Sequence, residues 1–483
     1  MKLEKLLQGV EILETNAAMQ TEITGVTDSS REATEGMLFL AVTGYATDGH
    51  RYIPDAVKRG AAVVLCERQM PENRPWVRVK DSRAAMATIG ANWHGRPAEK
   101  MQMIGVTGTN GKTSVTYLLK NLLEKATGEK VGLIGTIHNL CGEEVIEGER
   151  TTPGAIELQG LLAKMQRSGC KYVVMEVSSH ALVQRRTDGI DFAVGAFTNL
   201  TEDHLDFHHT MEEYGRAKAM LFTRCRRGVF NLDDAAAKTM MASATCTCHT
   251  VGLAKTASLR AENVILASDH VRMEICEAGE RETLTVGIPG RFTVSNCLVT
   301  LGIARALGLD LHAAVRALST AKGVKGRIEV VPTPNCDFTV LIDYAHTPDG
   351  LENLLRSVRD FSKKRIITVF GCGGDRDRTK RPIMGRIAAE QSDLVVVTSD
   401  NPRTEEPMTI IEEILGGMKN TQTPYIVEEN RRKAIRIALR SAEKDDIILL
   451  AGKGHETYQI LGTEKTRLDE REEVALALCE MRQ

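Results

Sequence analysis

The stretch Met103-Ile104-Gly105-Val106-Thr107-Gly108-Thr109-Asn110-Gly111-Lys112-Thr113-Ser114 decides how this chain is built. Its first five residues read as a buried strand, and the amphipathic pattern over 114–125 reads as a helix. Between them, Gly108 and Gly111 let backbone N–H groups turn toward phosphate oxygens, and the helix start adds favourable partial charge. Lys112 can reach the outer phosphates of a nucleotide, and Thr113 can offer a hydroxyl to Mg²⁺. The usual eight-residue phosphate-loop pattern would put its first glycine at 106, where Val106 stands. The order strand, glycine turn, Gly-Lys-Thr and helix still predicts an ATP-type phosphate loop made of Gly108, Thr109, Asn110, Gly111, Lys112, Thr113 and Ser114.

Outward from this loop, short apolar runs recur at 61–65, 172–175, 366–370, 394–397 and 447–450. Their length and Val/Ile content fit strands buried on both faces of a mainly parallel sheet. Helical patterns such as 114–125 and 351–361 lie between several of them, which predicts an α/β architecture. With 483 residues and roughly 150 per domain, about three domains are expected. Two Gly-rich breaks suggest the boundaries, Trp93-His94-Gly95-Arg96-Pro97 and Lys322-Gly323-Val324-Lys325-Gly326-Arg327. The expected domains are 1–97, 98–325 and 326–483, the middle one carrying the phosphate loop on a parallel sheet.

Charged residues make up 26% of the chain and the formal net charge is −2, so no global field draws it to nucleic acid or anionic membrane. The amino-terminal residues lack the apolar core of a signal peptide, and no run approaches the roughly 18 apolar residues of a membrane span. Eleven cysteines without a Cys-x-x-Cys pair read as reduced thiols, hence a cytoplasmic protein. Cys246-Thr247-Cys248-His249 resembles half a metal site but has no second half at ligand spacing.

Two further segments carry chemistry. In Val173-Val174-Met175-Glu176-Val177-Ser178-Ser179-His180, Glu176 ends a predicted strand, where α/β sheets gather functional groups. The segment from Phe197 to His209 holds Glu202, Asp203, His204, Asp206 and His208, with His204 and His208 spaced to share a helix face. Zinc and magnesium both suit such donors, and the upstream nucleotide loop favours magnesium. Phe370-Gly371-Cys372-Gly373-Gly374-Asp375-Arg376 invites a dinucleotide reading but has Arg376 where the last required glycine belongs.

Taken together, six segments resemble the Mur ligase family, which adds amino acids to UDP-N-acetylmuramic acid in cell-wall synthesis. They are Gly108 to Thr113, Glu176 to His180, Thr198 to Asp206, Asp343-Tyr344-Ala345-His346-Thr347-Pro348, Gly373-Gly374-Asp375-Arg376-Asp377 and Gly452-Lys453-Gly454-His455-Glu456. The resemblance implies an N-terminal domain that binds the UDP-muramoyl substrate, a central ATPase domain and a C-terminal Rossmann-like domain that receives the amino acid. It implies Lys112, Glu176, His204 and Lys218 as the catalytic set, with Thr113, Glu176, His204 and Lys218, as a carbamate, around Mg²⁺. Asn296, Arg327 and His346 are then expected at the nucleotide. Ser30 in Asp28-Ser29-Ser30-Arg31, with Thr151, Thr152, Ser178, Gln184 and Arg186, is expected at the UDP-muramoyl substrate. Thr151-Thr152-Pro153-Gly154 also reads as a helix start, with Pro153 at the first helical position.

Members that accept meso-diaminopimelate resemble this chain in carrying Asp-Asn-Pro-Arg, here Asp400-Asn401-Pro402-Arg403, and lysine-adding members depart from it. A guanidinium holds a carboxylate through two parallel hydrogen bonds, and diaminopimelate differs from lysine by one carboxylate. The resemblance therefore implies Arg376, Asp400, Asn401, Pro402, Arg403, Gly452 and Glu456 as diaminopimelate contacts. The expected partners are ATP, UDP-N-acetylmuramoyl-L-Ala-D-Glu and meso-diaminopimelate, on a monomer. A lysine-adding Mur ligase, a folylpolyglutamate synthase and a nucleotide-binding regulator without catalysis are the rival readings.

Overall fold

The computed structural model describes residues 1–44, 47–71, 74–148, 150–267 and 269–481. The chain is mixed α/β and forms two compact units, Met1–Leu259 with Leu298–Ala314, and Arg260–Cys297 with Val315–Gln483.

The first unit holds two sheets. Its amino-terminal sheet runs Ile12–Thr15, Trp76–Val79, Val63–Cys66, Leu38–Leu40, Val26–Thr27, parallel except for the edge strand Ile12–Thr15. The helix Ser82–Trp93 starts where Asp81 accepts hydrogen bonds from the backbone N–H of Arg83 and Ala84, a side-chain cap for otherwise unpaired donors. In the second sheet, Gln102–Thr107 lies between Tyr172–Glu176 and Phe192–Phe197, parallel to both. Val131–Ile134 continues it on the Tyr172 side, and Cys225–Asn231 and Thr247–Gly252 continue it on the other. Strand addition therefore reverses at Gln102–Thr107, and such a switch point leaves a crevice at the carboxyl ends of the strands. These strands are apolar on both faces because helices cover both, as in Gln102–Thr107, where the last five residues are buried.

Val106, which stands where a glycine was looked for, is a ladder residue paired in register with Glu176. The turn begins two residues later at Gly108, so the loop needs no glycine there. The helix Lys112–Thr127 is longer at both ends than the expected 114–125 and stops at Gly128, whose φ of +72° closes it.

The second unit contains a sheet in the order Glu329–Val331, Thr339–Asp343, Ile447–Ala451, Ile366–Phe370, Leu394–Val397, Tyr425–Val427. All but the edge strand Glu329–Val331 are parallel. Ile447–Ala451, the last of these strands in the chain, inserts between two earlier ones. The loops beginning at Gly371, Thr398 and Gly452 therefore emerge side by side at one end. An antiparallel hairpin, Val271–Glu277 with Glu280–Val286, also belongs to this unit. Among the described residues no helix is long and apolar enough to cross a membrane.

Candidate active site

Gly108 follows its strand with a φ of +146°, and a Cβ there would lie 1.9 Å from Oγ1 of Thr198. Only glycine fits so close a pairing of neighbouring strand ends. Gly111, at φ +85°, turns the chain into the helix, so Lys112 and Thr113 open its first turn. Asn199 clamps the loop from the adjacent strand end: its side-chain oxygen accepts from the Asn110 N–H at 2.8 Å and its carbonyl from the Thr109 N–H at 2.9 Å. The Thr198 hydroxyl donates to the Asn110 carbonyl at 2.6 Å. Nζ of Lys112 donates to the carbonyls of Gly108 and Thr109, at 2.9 and 2.8 Å.

Lys218, on the helix Met211–Ala219, is 1% exposed, and its Nζ donates to the same Gly108 carbonyl at 2.8 Å. It also stands 4.2 Å from the centre of the Tyr214 ring, whose hydroxyl lies 3.2 Å from the Thr109 hydroxyl. Burial, and then the like charge of Lys112, push the Lys218 amine well below the ordinary lysine range. A buried lysine that readily gives up its proton is a nucleophile in the making.

Glu176 ends its strand 1% exposed, held by the N–H and hydroxyl of Thr136 at 3.0 and 3.1 Å. Thr136 also lies 3.0 Å from the Thr151 hydroxyl. The Thr152 hydroxyl donates to the Glu176 carbonyl at 2.9 Å and accepts from the Ser178 N–H at 3.1 Å. Nη1 of Arg186 donates to the Thr152 carbonyl at 2.8 Å, and its Nη2 to the Gln184 side chain at 2.6 Å. Glu176, Thr151, Thr152, Ser178, Gln184 and Arg186 thus form one connected wall. The helix beside it begins at Ala155 with Gly154 as its cap, so Pro153 stands outside the helix instead of opening it. The Thr152 hydroxyl is committed to the neighbouring strand end, which sets the start later.

Gln184 and Arg186 line a cavity of about 420 Å³ together with Asp28, Arg83, Arg150 and Glu157. Arg150 and Arg83 both lower the pKa of Arg186, after burial as the main cause, so three guanidiniums share one positive field. Arg83 and Arg150 escaped the sequence reading because a lone arginine carries no motif. Ser30 is not among the lining residues, whereas Asp28, two positions earlier, is.

The expected pairing of His204 and His208 on one helix face gives way to divided roles. His204 adopts φ +53° and precedes the short helix Leu205–His208, and its side chain is 47% exposed. His208 is buried, with Nε2 2.9 Å from the Ser179 hydroxyl. The His180 ring lies between them, 4.8 Å from that of His204 and 5.4 Å from that of His208. Burial first, then the facing His180, Lys218 and His204, push His208 down to about 4 from 6.5. The unfolded chain therefore binds this proton at higher pH than the folded protein does, and stability must fall as pH drops from 6.5 towards about 4. Urea midpoints measured from pH 7 to 4.5 should decline, and His208→Gln, which cannot titrate, should decline less. Equal slopes for the two proteins would refute this assignment.

In the second unit, Asp400, Asn401, Pro402 and Arg403 follow the carboxyl end of Leu394–Val397, and Gly452 and Glu456 that of Ile447–Ala451, the two strands that flank Ile366–Phe370. Arg403, at φ +53°, donates from Nη1 to the Gly374 carbonyl at 2.8 Å. Arg376 is exposed in the neighbouring loop. Arg381, fully buried at the start of the helix Lys380–Gln391, braces both loops. It donates to both carboxylate oxygens of Glu405 at 2.9 and 2.8 Å, to Glu413 at 2.8 Å and to the Gly373 carbonyl at 3.3 Å. Oδ2 of Asp400 is buried without a hydrogen bond, 3.9 Å from Nη1 of the fully buried Arg431. A Cβ on Gly452, at φ +110°, would come within 3.1 Å of that oxygen. Arg381 and Arg431 went unremarked in the sequence, and Lys453 entered only as a member of the segment Gly452 to Glu456, because burial of a cation depends on partners elsewhere in the chain.

Asn296, Arg327 and His346 also belong to this unit. Asn296 is buried on the helix Arg291–Ala306, and the Arg327 guanidinium stacks 5.3 Å from the Tyr344 ring centre. His346 lies with Nδ1 2.8 Å from the Tyr344 carbonyl. Burial raises Asp343, which the nearby Arg327 partly offsets.

Comparison with known proteins shows which family the chain belongs to. The Mur ligase family catalytic domain matches residues 22–94, the Mur ligase middle domain 106–304, and the Mur ligase glutamate ligase domain 326–454. The UDP-N-acetylmuramoyl-L-alanyl-D-glutamate–2,6-diaminopimelate ligase 1 of Clostridium acetobutylicum is 45% identical over 100% of both chains. The corresponding ligase of Caldanaerobacter subterraneus is 46% identical over 99% of each. A solved structure of a ligase with the same substrate name superposes with a TM-score of 0.75 at 29% identity, covering 100% of this chain and 99% of its own. With three family domains in order and full-length relatives at this identity, the chain belongs to the Mur ligase family.

Proposed function

We propose that this chain is an ATP-dependent ligase that joins meso-2,6-diaminopimelate to the D-glutamyl side-chain carboxylate of UDP-N-acetylmuramoyl-L-Ala-D-Glu. The observation that carries this reading is the convergence of Lys112, Lys218 and the Glu176 wall on one end of the first unit's sheet. Relatives of the same length, named for this substrate and this amino acid, support its finer part. In this reading residues 1–97 bind the UDP-muramoyl substrate, 98–325 hold ATP and 326–483 receive the diaminopimelate, in a cytoplasmic monomer.

A carboxylate is a poor acyl electrophile, because its charge is delocalised and oxide cannot leave. Transfer of the γ-phosphoryl group of ATP to a carboxylate oxygen gives ADP and an acyl phosphate. The neutral amine of diaminopimelate then attacks the carbonyl carbon, phosphate departs with the C–O bonding pair, and the nitrogen loses a proton. Little covalent work is asked of the protein, so positioning and electrostatics dominate. Lys112 offsets charge on the transferring phosphoryl group, and the backbone N–H groups of Gly111 to Thr113 face the phosphates. Arg186, Gln184 and Thr152 hold the acceptor so that its carboxylate meets the nucleotide.

The donors fit Mg²⁺. Among the described residues no three carboxylate, imidazole or thiol groups form a cage, and an ion riding on nucleotide phosphates needs only one or two carboxylates besides them. Thr113, Glu176, His204 and a carbamate on Lys218 would hold it. When bound, Mg²⁺ would offset negative charge on the phosphate oxygens.

In the second unit, Arg403 and Arg376 are the cations for the second carboxylate of diaminopimelate, and Asp400 and Glu456 the anions for its ammonium. The test is phosphate release from ATP with the UDP-muramoyl dipeptide and either diaminopimelate, lysine or no amine. Amide should form with diaminopimelate, and lysine should be used far less well. Arg403→Ala should lower kcat/KM for diaminopimelate by about tenfold to a hundredfold, the worth of one charge-assisted contact. Equal use of lysine by the unmutated enzyme would reject the amino acid. Absence of new amide with every amine would reject the reaction class.

A further inference from the structure

The diaminopimelate corner contains a cation outside the contact set above. Lys453, between Gly452 and Gly454, is 0% exposed. Its Nζ donates to Oδ1 of Asn401 at 3.0 Å and to Oε2 of Glu456 at 3.1 Å. Nδ2 of Asn401 donates to the same Oε2 at 2.9 Å, which closes a three-membered ring of polar groups. The Ile460 N–H donates to Oδ1 of Asn401 at 3.0 Å. Two donors on Oδ1 decide which way the Asn401 amide faces, since the flipped amide would set N–H against both. Two donors on one oxygen of Glu456 likewise decide which carboxylate oxygen is engaged, leaving Oε1 as the free acceptor.

The charge pattern has the same sense. Asp400 and Glu456 bring two carboxylates to this corner; Arg431 stands by the first and Lys453 by the second. A buried carboxylate without a partner is costly and swings toward whatever cation it can reach. With Lys453 in place, Oε2 of Glu456 is already engaged and the carboxylate is fixed before any ligand arrives. Such preorganisation tightens binding without a contact to the ligand, because the ordering cost is met during folding.

We propose that Lys453 is the positioning residue of the amino-acid pocket, acting through Asn401 and Glu456 to set the acceptor that receives the ligand's ammonium. This rests on the diaminopimelate reading above. Lys453 touches no reacting atom, so its loss should appear in the affinity for the amino acid and spare the phosphoryl-transfer apparatus.

Two variants test it. Lys453→Met keeps the length of the side chain and removes the charge; Lys453→Gln keeps a polar group and protects the fold if the methionine variant is unstable. For each, KM for diaminopimelate, ATP and the UDP-muramoyl dipeptide is measured together with kcat and Tm. KM for diaminopimelate should rise by about tenfold to a hundredfold, while kcat at saturating amine and the two other KM values stay within about threefold. Lys453→Met should show the larger effect. A folded Lys453→Gln enzyme with an unchanged KM for diaminopimelate overturns the proposal, and so does a parallel rise in all three KM values, which would mark a general structural role. If the unmutated enzyme prefers another amino acid, the reading of the substrate fails, and the same split measured with that amino acid still decides the role of Lys453. An unmutated enzyme that ligates no amine overturns both.

Discussion

Lys112→Met should lower kcat for ATP-dependent amide formation by about a hundredfold to a thousandfold, the effect of removing one preorganised group aimed at developing charge. The geometry makes the loss specific. Lys112 opens the helix Lys112–Thr127, and its ammonium is held over the loop by the carbonyls of Gly108 and Thr109, at 2.9 and 2.8 Å. In the proposed reaction it would therefore meet the outer phosphates already oriented. Methionine keeps the length of the side chain and the helix propensity, so the fold of the loop, clamped by Asn199 and Thr198, should persist. The loss should fall on kcat more than on KM for ATP, because charge on the transferred group peaks in the transition state and the nucleotide keeps its backbone contacts. Rapid-quench measurement of acyl-phosphate formation, with and without the amine, isolates the step. A variant that forms amide within tenfold of the unmutated rate would show that Lys112 does not serve phosphoryl transfer.

This loop was legible in the sequence because its parts are local: a strand, two glycines, Gly-Lys-Thr and a helix within a few turns of each other. The strands Ile366–Phe370 and Leu394–Val397 were legible for a similar reason. Burial on both faces writes an uninterrupted apolar run, and Gly371 and Thr398 end it. The amino-terminal sheet left a fainter trace, since Val26–Thr27 and Leu38–Leu40 are two and three residues long. Runs that short cannot be told from loop.

Within the candidate site, the limit of the sequence lies where one side chain is explained by another far along the chain. Arg381 looks like a surface residue on a helix until Glu405 and Glu413 are seen around it. Lys453 is a motif member without a stated task until its two partners, 52 and 3 residues away, appear. The His204 and His208 spacing misled because the intervening helix is a single turn and His204 lies outside it.

Lys218 offers the sharpest test of the catalytic set. Two features of its surroundings favour the free amine, burial first and then the like charge of Lys112. Only an unprotonated amine adds CO₂, releasing a proton and turning a cation into an anionic oxygen donor suited to Mg²⁺. Asp203 acts in the opposite direction, but as the smallest of the three influences. If this conversion occurs, the enzyme in CO₂-stripped buffer should lose activity and recover it when bicarbonate is added. Lys218→Met, which fills the same space beside the Tyr214 ring, should lower kcat by about a hundredfold or more, as loss of a group that organises transition-state charge does, and should ignore bicarbonate. The pairing of the two measurements matters. A large loss in Lys218→Met without any bicarbonate effect in the unmutated enzyme would leave the lysine working as an uncharged donor to the Gly108 carbonyl. The lowered basicity would then serve to relieve repulsion between the two ammonium groups, and the anionic-donor role would have to be abandoned.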